Sequence, residues 1–441
     1  MKEKFKNLFP LFILPIILVI CAGLWVGLSS GRYENVQSDE TGTWDLRYFD
    51  FNKTNARLTG AVEFIPNVLL TPDEFTAREN ESIAGFPAEK ADFSTSRIRL
   101  LVPEGNYTFS RISTDYADRI FINGIWLHDV GNPAKDLKDG TAVTSRVTFT
   151  VQAVDGIIEI IQQTSNFSLR GKNRDAQDWI IGKYNYAYSV LQADFTVSII
   201  IGCYLVMFFI FASMYFFMNS YRPSLYFALF CLMWFFRSGI TGSRIFASLL
   251  PWLSGYLSMR IEYISLPVAA VLTVAIISYL FPGVLHNIFC KILNIVSAIL
   301  AVLIAVLDIL LIVHIVLICQ IFYFLCIVYI LVKAVIKVRK IDIVKSIFLI
   351  GAGIFLYGAI RDFSYYSFSF IPLLPPFSDA NFTQITVLSF ALCKATAVFI
   401  STMRKMRDIE VKNMSLETEI DFLQKRLNIL QEIKKGRGLK K

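Results

Sequence analysis

Chemistry near neutral pH begins with histidine, and this 441-residue chain has three: His128, His286 and His314. A hydrolytic triad would need one of them beside an activated serine and an aspartate. The segment GIWLHDVGN around His128 holds no strained strand-to-helix turn that would present such a serine. Asp136 and Asp139 in KDLKDGT could lend oxygens to a structural calcium ion, but two carboxylates in a polar, Gly-containing segment read first as a surface turn. HExxH, Walker, kinase-loop and Cys/His-cluster patterns are missing. The chain is therefore expected to be no enzyme, with no catalytic residues, no cofactor and no metal.

Ionisable residues inside apolar segments are costly and need a reason. Lys394 lies in the apolar run 381–403, where a lysine could form an imine with a retinal-type aldehyde. That chemistry needs a carboxylate counter-ion at mid-membrane, and Glu262 maps near the end of its own segment. Lys394 reads instead as a lysine that snorkels or pairs within a bundle. Arg237, Arg260, Glu262, Arg361 and Asp362 all map near the outer ends of their segments. They would either tie an exported domain to the helices or stabilise loop ends.

The most specific pattern is at the C-terminal end. Met406, Asn413, Ile420 and Leu427 recur every seven residues, and so do Ile409, Leu416, Leu423 and Leu430, offset by three. These are the a and d positions of a heptad. Isoleucine at a with leucine at d favours two parallel strands, and Asn413 at an a position fixes register and dimer state. Lys405 and Lys412 at g would face Glu410 and Glu417 at e of the partner helix. A solvated amphipathic helix on the membrane surface is the alternative.

These residues sit in a frame set by composition. The chain is 55% hydrophobic and 18% charged, outside the range of ordinary soluble domains. Its net charge of +8 is uneven: residues 32–190 carry 17 basic and 22 acidic side chains, a net of −5, whereas residues 191–441 carry a net of +11. The basic excess reports membrane orientation, and a nucleic-acid partner is excluded. All seven cysteines lie in or beside apolar segments, so disulfides do not hold the acidic block together.

Residues 8–28 form a 21-residue apolar run behind Lys2, Lys4 and Lys6, longer than the core of a cleaved signal peptide, which favours an uncleaved anchor within 1–31; a signal peptide cleaved after Ser29-Ser30-Gly31 is the alternative. Between 44 and 170, short β-rich runs (LRYFDF, AVEFI, RIRLLV, YTFSRIS, RIFIN, RVTFTV, IIEII) alternate with Pro, Gly, Asn and Asp. Asn123-Gly124 marks a hairpin. Seven or eight strands predict a two-sheet sandwich over 32–190. Apolar segments at 195–218, 224–242, 259–281, 288–307, 309–332, 344–361 and 381–403 predict seven crossings in a helical domain over 191–404, with Asp308 at one turn. With the sandwich outside, the inner loops hold Arg222, Lys291, Lys333, Lys337, Arg339, Lys340 and Lys345, against Arg244, Arg260 and Arg361 outside. That obeys the positive-inside rule and puts the coiled coil and basic tail, 405–441, in the cytoplasm.

This order of parts resembles the bacterial seven-transmembrane receptors with diverse intracellular signalling modules. TWDLRYFDFNKTNARLTGAVEFIPNVLLTPDEF is similar to the start of that family's extracellular sensory domain, and DRIFINGIWLHDVGNP and IIQQTSNFSLRG to a galactose-binding-like jelly roll. YRPSLYFALFCLMWFFRSG and WLSGYLSMRIEYISL resemble the family's first inner loop, second helix and third helix. The likeness spans roughly residues 40–405. It implies a plasma-membrane receptor whose jelly-roll β-sandwich binds an extracellular small molecule or carbohydrate, with Trp126, Asn166 and Arg170 as ligand contacts. The signal would reach a homodimeric coiled coil. Family members usually continue into a kinase, cyclase or phosphatase, whereas this chain ends at KKGRGLKK. It is thus expected to be a sensor half or to act through a separate cytoplasmic signalling protein. A transporter or channel is the alternative from another class; it needs discontinuous helices, and Gly351 to Gly358 is the segment where one could break.

Overall fold

Alternating inward and outward side chains build the first domain. The computed structural model describes residues 33–136, 139–166, 179–217, 221–250, 253–307, 309–337, 343–368 and 381–438; the expected anchor at 8–28 and the turn at Asp308 lie outside them. Among the described residues the domain has eleven strands: β1 (Tyr33–Gln37), β2 (Thr43–Asp45), β3 (Asn55–Thr59), β4 (Val62–Pro66), β5 (Ile83–Gly85), β6 (Phe93–Leu101), β7 (Asn106–Ile122), β8 (Ile125–Val130), β9 (Val143–Gln152), β10 (Ile157–Asn166) and β11 (Ile180–Gly182). Two short helices, α1 (Pro72–Ala77) and α2 (Pro87–Lys90), lie between strands. Thr71 and Glu74 form a reciprocal capping box at the start of α1.

The two expected strands YTFSRIS and RIFIN are one, β7, which serves both layers. Its first half pairs with β9 and β11, and its second half with β8 and β10. The register breaks between Ser113 and Tyr116, where an irregularity lets one strand change sheets. One layer then runs β9, β7, β11, β3, β1 and the other β8, β7, β10, β6, β4, β5, with β2 beside β6. The inner faces meet in one core that includes Leu58, Phe109, Val147 and Ile181 from the first layer and Phe64, Ile98, Ile120 and Ile160 from the second. LRYFDF, expected as a strand, is a pair of turns. The Asp45 and Asp50 carboxylates accept from the backbone N–H two residues on, at Arg47 and Asn52, and this drops Leu46 and Phe51 into the core. The Asn123-Gly124 hairpin stands as read, with φ of 47° and 80°.

All seven apolar segments are helical: α3 (Tyr184–Phe217), α4 (Arg222–Ile240), α6 (Gly255–Leu280), α7 (Asn287–Val306), α8 (Ile309–Lys337), α9 (Ile343–Phe368) and α10 (Asn381–Gly438), with a short α5 (Ile245–Leu249) after α4. Among the described residues five of them, α3, α4, α6, α7 and α10, are long and apolar enough to cross a membrane. Helix α3 starts eleven residues before the apolar run at Phe195, because it leaves β11 directly and carries Asp194 on its polar first turns. At 58 residues α10 is about 87 Å long at 1.5 Å per residue, far beyond a bilayer, and continues unbroken into the heptad segment.

Gly351 to Gly358 does not break α9. A methyl group at Gly351 would overlap the Cys393 side chain and one at Gly358 that of Thr386, so the glycines let α9 and α10 approach closely. The discontinuous helix that a transporter would require is not formed there.

Candidate functional site

Strand β8 carries an exposed tryptophan. Trp126 is 58% exposed, so it is no part of the core, and its indole N–H donates to Asp129 Oδ1 at 2.9 Å. Arg119, across on β7, donates Nε and Nη2 to the same carboxylate at 3.0 Å each. Partial burial pushes the Asp129 carboxyl up, but the hydrogen bonds from Arg119 and Trp126 outweigh it and hold the group below the ordinary carboxylate range. The latch is therefore complete above about pH 4 and loosens as acid protonates Asp129. An exposed ring beside a guanidinium and a carboxylate offers a stacking face and both hydrogen-bond polarities.

Asn166, another of the expected ligand contacts, is not beside it in the sheet. Asn166 pairs with Tyr116 at the end of β10, whereas Trp126 pairs with Phe121. Five β7 residues separate the two levels, about 17 Å at 3.3 Å per residue. The side chain of Asn166 and the whole of Arg170 lie outside the described residues. Trp44 and Trp179 are core residues, so neither offers a stacking surface.

A buried polar network escaped the reading of the sequence. Asp118 Oδ1 accepts from Gln162 Nε2 at 2.9 Å and Thr164 Oγ1 at 2.8 Å, Asp118 Oδ2 pairs with Arg111, and the Arg111 guanidinium lies 4.7 Å over the Trp179 ring. The available signal was IIEIIQQTSN, a strand that turns from apolar to polar midway with no turn residue, which suits a strand buried on both faces. Next along it, Ser165 Oγ donates to Ala134 O at 2.7 Å and accepts from Ala134 N at 3.0 Å. The β8–β9 loop is thus fastened to the polar end of β10.

That loop is also what enters the helices. Asn132 and Thr141 bridge across it, and Ala142, 2% exposed, packs among Met259 and Tyr263 of α6, Ile304 of α7 and Ile312 of α8. Ala142 O accepts from Gly255 N at 3.2 Å, where α6 begins. One step on, Arg146 Nη1 on β9 pairs with Asp194 of α3 at 2.7 Å. A small side chain at 142 admits the loop between three helices.

Two of the charges expected at this rim, Arg237 and Arg260, act within the helices. Arg237 of α4 donates to the Glu262 carbonyl and, at 2.6 Å, to Ser265 Oγ of α6, and its guanidinium lies 5.5 Å from the Trp234 ring. Arg260 caps the end of α7, donating to the carbonyls of Ala305 and Leu307. Arg361 and Asp362 lie on α9, their side chains outside the described residues. Of the two expected roles, Arg237 and Arg260 fill the stabilising one; apolar Ala142 and the Arg146–Asp194 pair are among the contacts that tie the sandwich to the helices.

At the opposite end of the helices α10 is clasped before it leaves. Tyr221 Oη and Ser401 Oγ share a hydrogen bond of 3.0 Å, and Lys405 Nζ lies 4.9 Å over the Tyr221 ring. Beyond this point Ile409, Asn413, Leu416, Ile420, Leu423 and Leu427 are all exposed, and Leu430 has its side chain outside the described residues. They form an apolar stripe with one polar interruption along a single helix.

A family model described as 7TM diverse intracellular signalling matches residues 193–400, from the residue before Asp194 in α3 to the residue before Ser401 in α10. Among curated proteins none matches the chain.

Proposed function

We propose that this chain, whose membrane part belongs to the seven-transmembrane receptors with diverse intracellular signalling modules, senses a ligand with its sandwich and sends the change along α10. The coarse statement is simple: it is a multi-pass membrane signalling receptor. The observation that carries the finer reading is one unbroken helix. α10 packs in the bundle, whose rim holds the sandwich loop at Ala142, and then exposes the heptad stripe. In this reading the sandwich is extracellular, as the basic inner loops argue, and the cytoplasmic stripe pairs with a second copy as a parallel coiled coil. Output then passes to a fused or separate cytoplasmic signalling module.

Cysteine at Leu416, a d position, should crosslink between copies in membranes under mild oxidation, while cysteine at the outward position Thr418 should not. Equal reactivity at both sites would dispose of the parallel dimer.

For the ligand, the reading is a polyhydroxylated molecule that stacks on Trp126 and bonds to Arg119 and Asp129. A sugar of this kind at 100 times its dissociation constant should stabilise the full chain by about 2.7 kcal/mol, seen as a raised melting temperature. Trp126→Ala should remove that shift and leave the ligand-free melting temperature nearly unchanged, since the side chain is exposed. A shift that persists in Trp126→Ala would move the site elsewhere; a shift with another ligand class alone would end the carbohydrate assignment.

A further inference from the structure

One face of α4 presents Phe227, Phe230, Cys231, Trp234 and Ser238 to the interior of the bundle. Against it, Tyr204 of α3 stacks on Trp234 with ring centroids 6.4 Å apart, and Gln384 of α10 donates its amide to the carbonyls of Ser238 and Thr241 at 3.4 and 3.3 Å. Along this seam four polar atoms make no hydrogen bond among the described residues: Tyr204 Oη, Trp234 Nε1, Ser238 Oγ and Gln384 Oε1. Each belongs to a side chain more than nine-tenths buried.

One ring further toward the tail is Lys394 of α10, fully buried. Its Nζ lies 3.9 Å from the centroid of Phe230, whose ring is 6.1 Å from that of Trp234, and 4.2 Å from that of Phe390; it donates to Thr273 Oγ1 at 2.9 Å. No carboxylate pairs with it among the described residues. Glu262, on the same helix as Thr273, is eleven residues away, about 16 Å along the axis.

The chemistry is lopsided. The ammonium has two N–H groups beyond the one Thr273 accepts, the indole can only donate, and the two hydroxyls can donate; Gln384 Oε1 alone must accept. A cation with surplus donors in an apolar wall calls for an anion with several acceptor lone pairs. The surrounding side chains, Ile200, Ile385, Leu388 and Ala391, suit an aliphatic chain.

We infer that the seam between α3, α4 and α10 binds the carboxylate of an amphipathic acid, with Lys394 moving off its aromatic rings to pair with it and Trp234 donating beside it. The site is separate from the Trp126 face and does not rest on a sandwich ligand.

The test uses the full chain in lipid nanodiscs, with binding read from melting temperature against concentration. The probes are decanoate, 1-decanol, decylamine and butyrate. Decanoate should stabilise, and decanol and decylamine should give little shift. Butyrate separates a small soluble acid from one that needs its chain: a shift equal to that of decanoate would overturn the amphipathic ligand. Lys394→Met should weaken decanoate about tenfold, the loss of one charge-assisted hydrogen bond. Trp234→Phe, which keeps the ring and loses the donor, should weaken it by a smaller factor, and Trp126→Ala should leave it unchanged. Decanol matching decanoate, or equal decanoate shifts in the wild type and both bundle variants, would show partition into lipid and overturn the site. Should Lys394→Met not fold, Trp234→Phe decides alone.

Discussion

Ala142→Trp should leave the sandwich folded and able to bind its ligand, yet disconnect it from the helices. Ala142 belongs to the small cluster with Met259, Tyr263, Ile304 and Ile312 and not to the sandwich core, so an indole there cannot disturb the packing of β-strands. It must instead wedge apart α6, α7 and α8 or withdraw from them. Overpacking costs about 1–3 kcal/mol. Coupling between sites in signalling proteins is also worth about 1–3 kcal/mol, a factor of 5 to 150, so withdrawal of the loop would erase most of it. The measurement is the ligand-induced change in crosslinking of a Leu416→Cys reporter, which should fall to near zero while the ligand-induced melting shift persists. Arg146→Ala should lose less, because the Arg146–Asp194 pair is partly solvent-exposed and such pairs contribute less than about 1 kcal/mol. An unchanged crosslinking response in Ala142→Trp would mean that the signal enters the bundle elsewhere.

Nothing about Ala142 announces it in the sequence. Alanine in DGTAVTSR reads as part of a strand approach, and its importance comes from three helices that start more than a hundred residues later. The same limit explains the sandwich ligands. Trp126 could be placed beside a hairpin by Asn123-Gly124, but its separation from Asn166 depends on the register of β7 with both β8 and β10, which is tertiary information. Period and length carried much further in the helices, because a crossing is specified by local apolarity alone. They also carried Gly351 and Gly358 too far, as a break: a glycine in an apolar helix is equally the mark of a close neighbour, and only Cys393 and Thr386 on α10 distinguish the two. Lys394 was legible as an expensive residue, and Phe390 lies four residues before it on the same helix face, while Phe230 was not legible, since it lies on another helix.

The second large effect should come from changing the phase of α10 below its clasp. Lys405 on Tyr221 and Ser401 on the Tyr221 hydroxyl fix the rotation of the helix as it leaves the bundle, and the heptad stripe begins one residue later at Met406. Each residue inserted between Lys405 and Met406 turns the stripe by about 100° relative to that clasp. One alanine should therefore abolish ligand-dependent output of a reporter fused after Leu430. Seven alanines, which bring the stripe back to within about 20° of its starting phase, should restore most of it. Alanine keeps the helix intact throughout, so the series separates rotation from simple lengthening. Proline at position 406 tests continuity itself: at about 3 kcal/mol in a helix interior it should sever the relay whatever the phase. If output fell steadily with insert length and showed no return at seven, or survived proline, the rigid helical connection between bundle and coiled coil would have to be abandoned, and the clasp at Tyr221 would be a packing contact without a role in transmission.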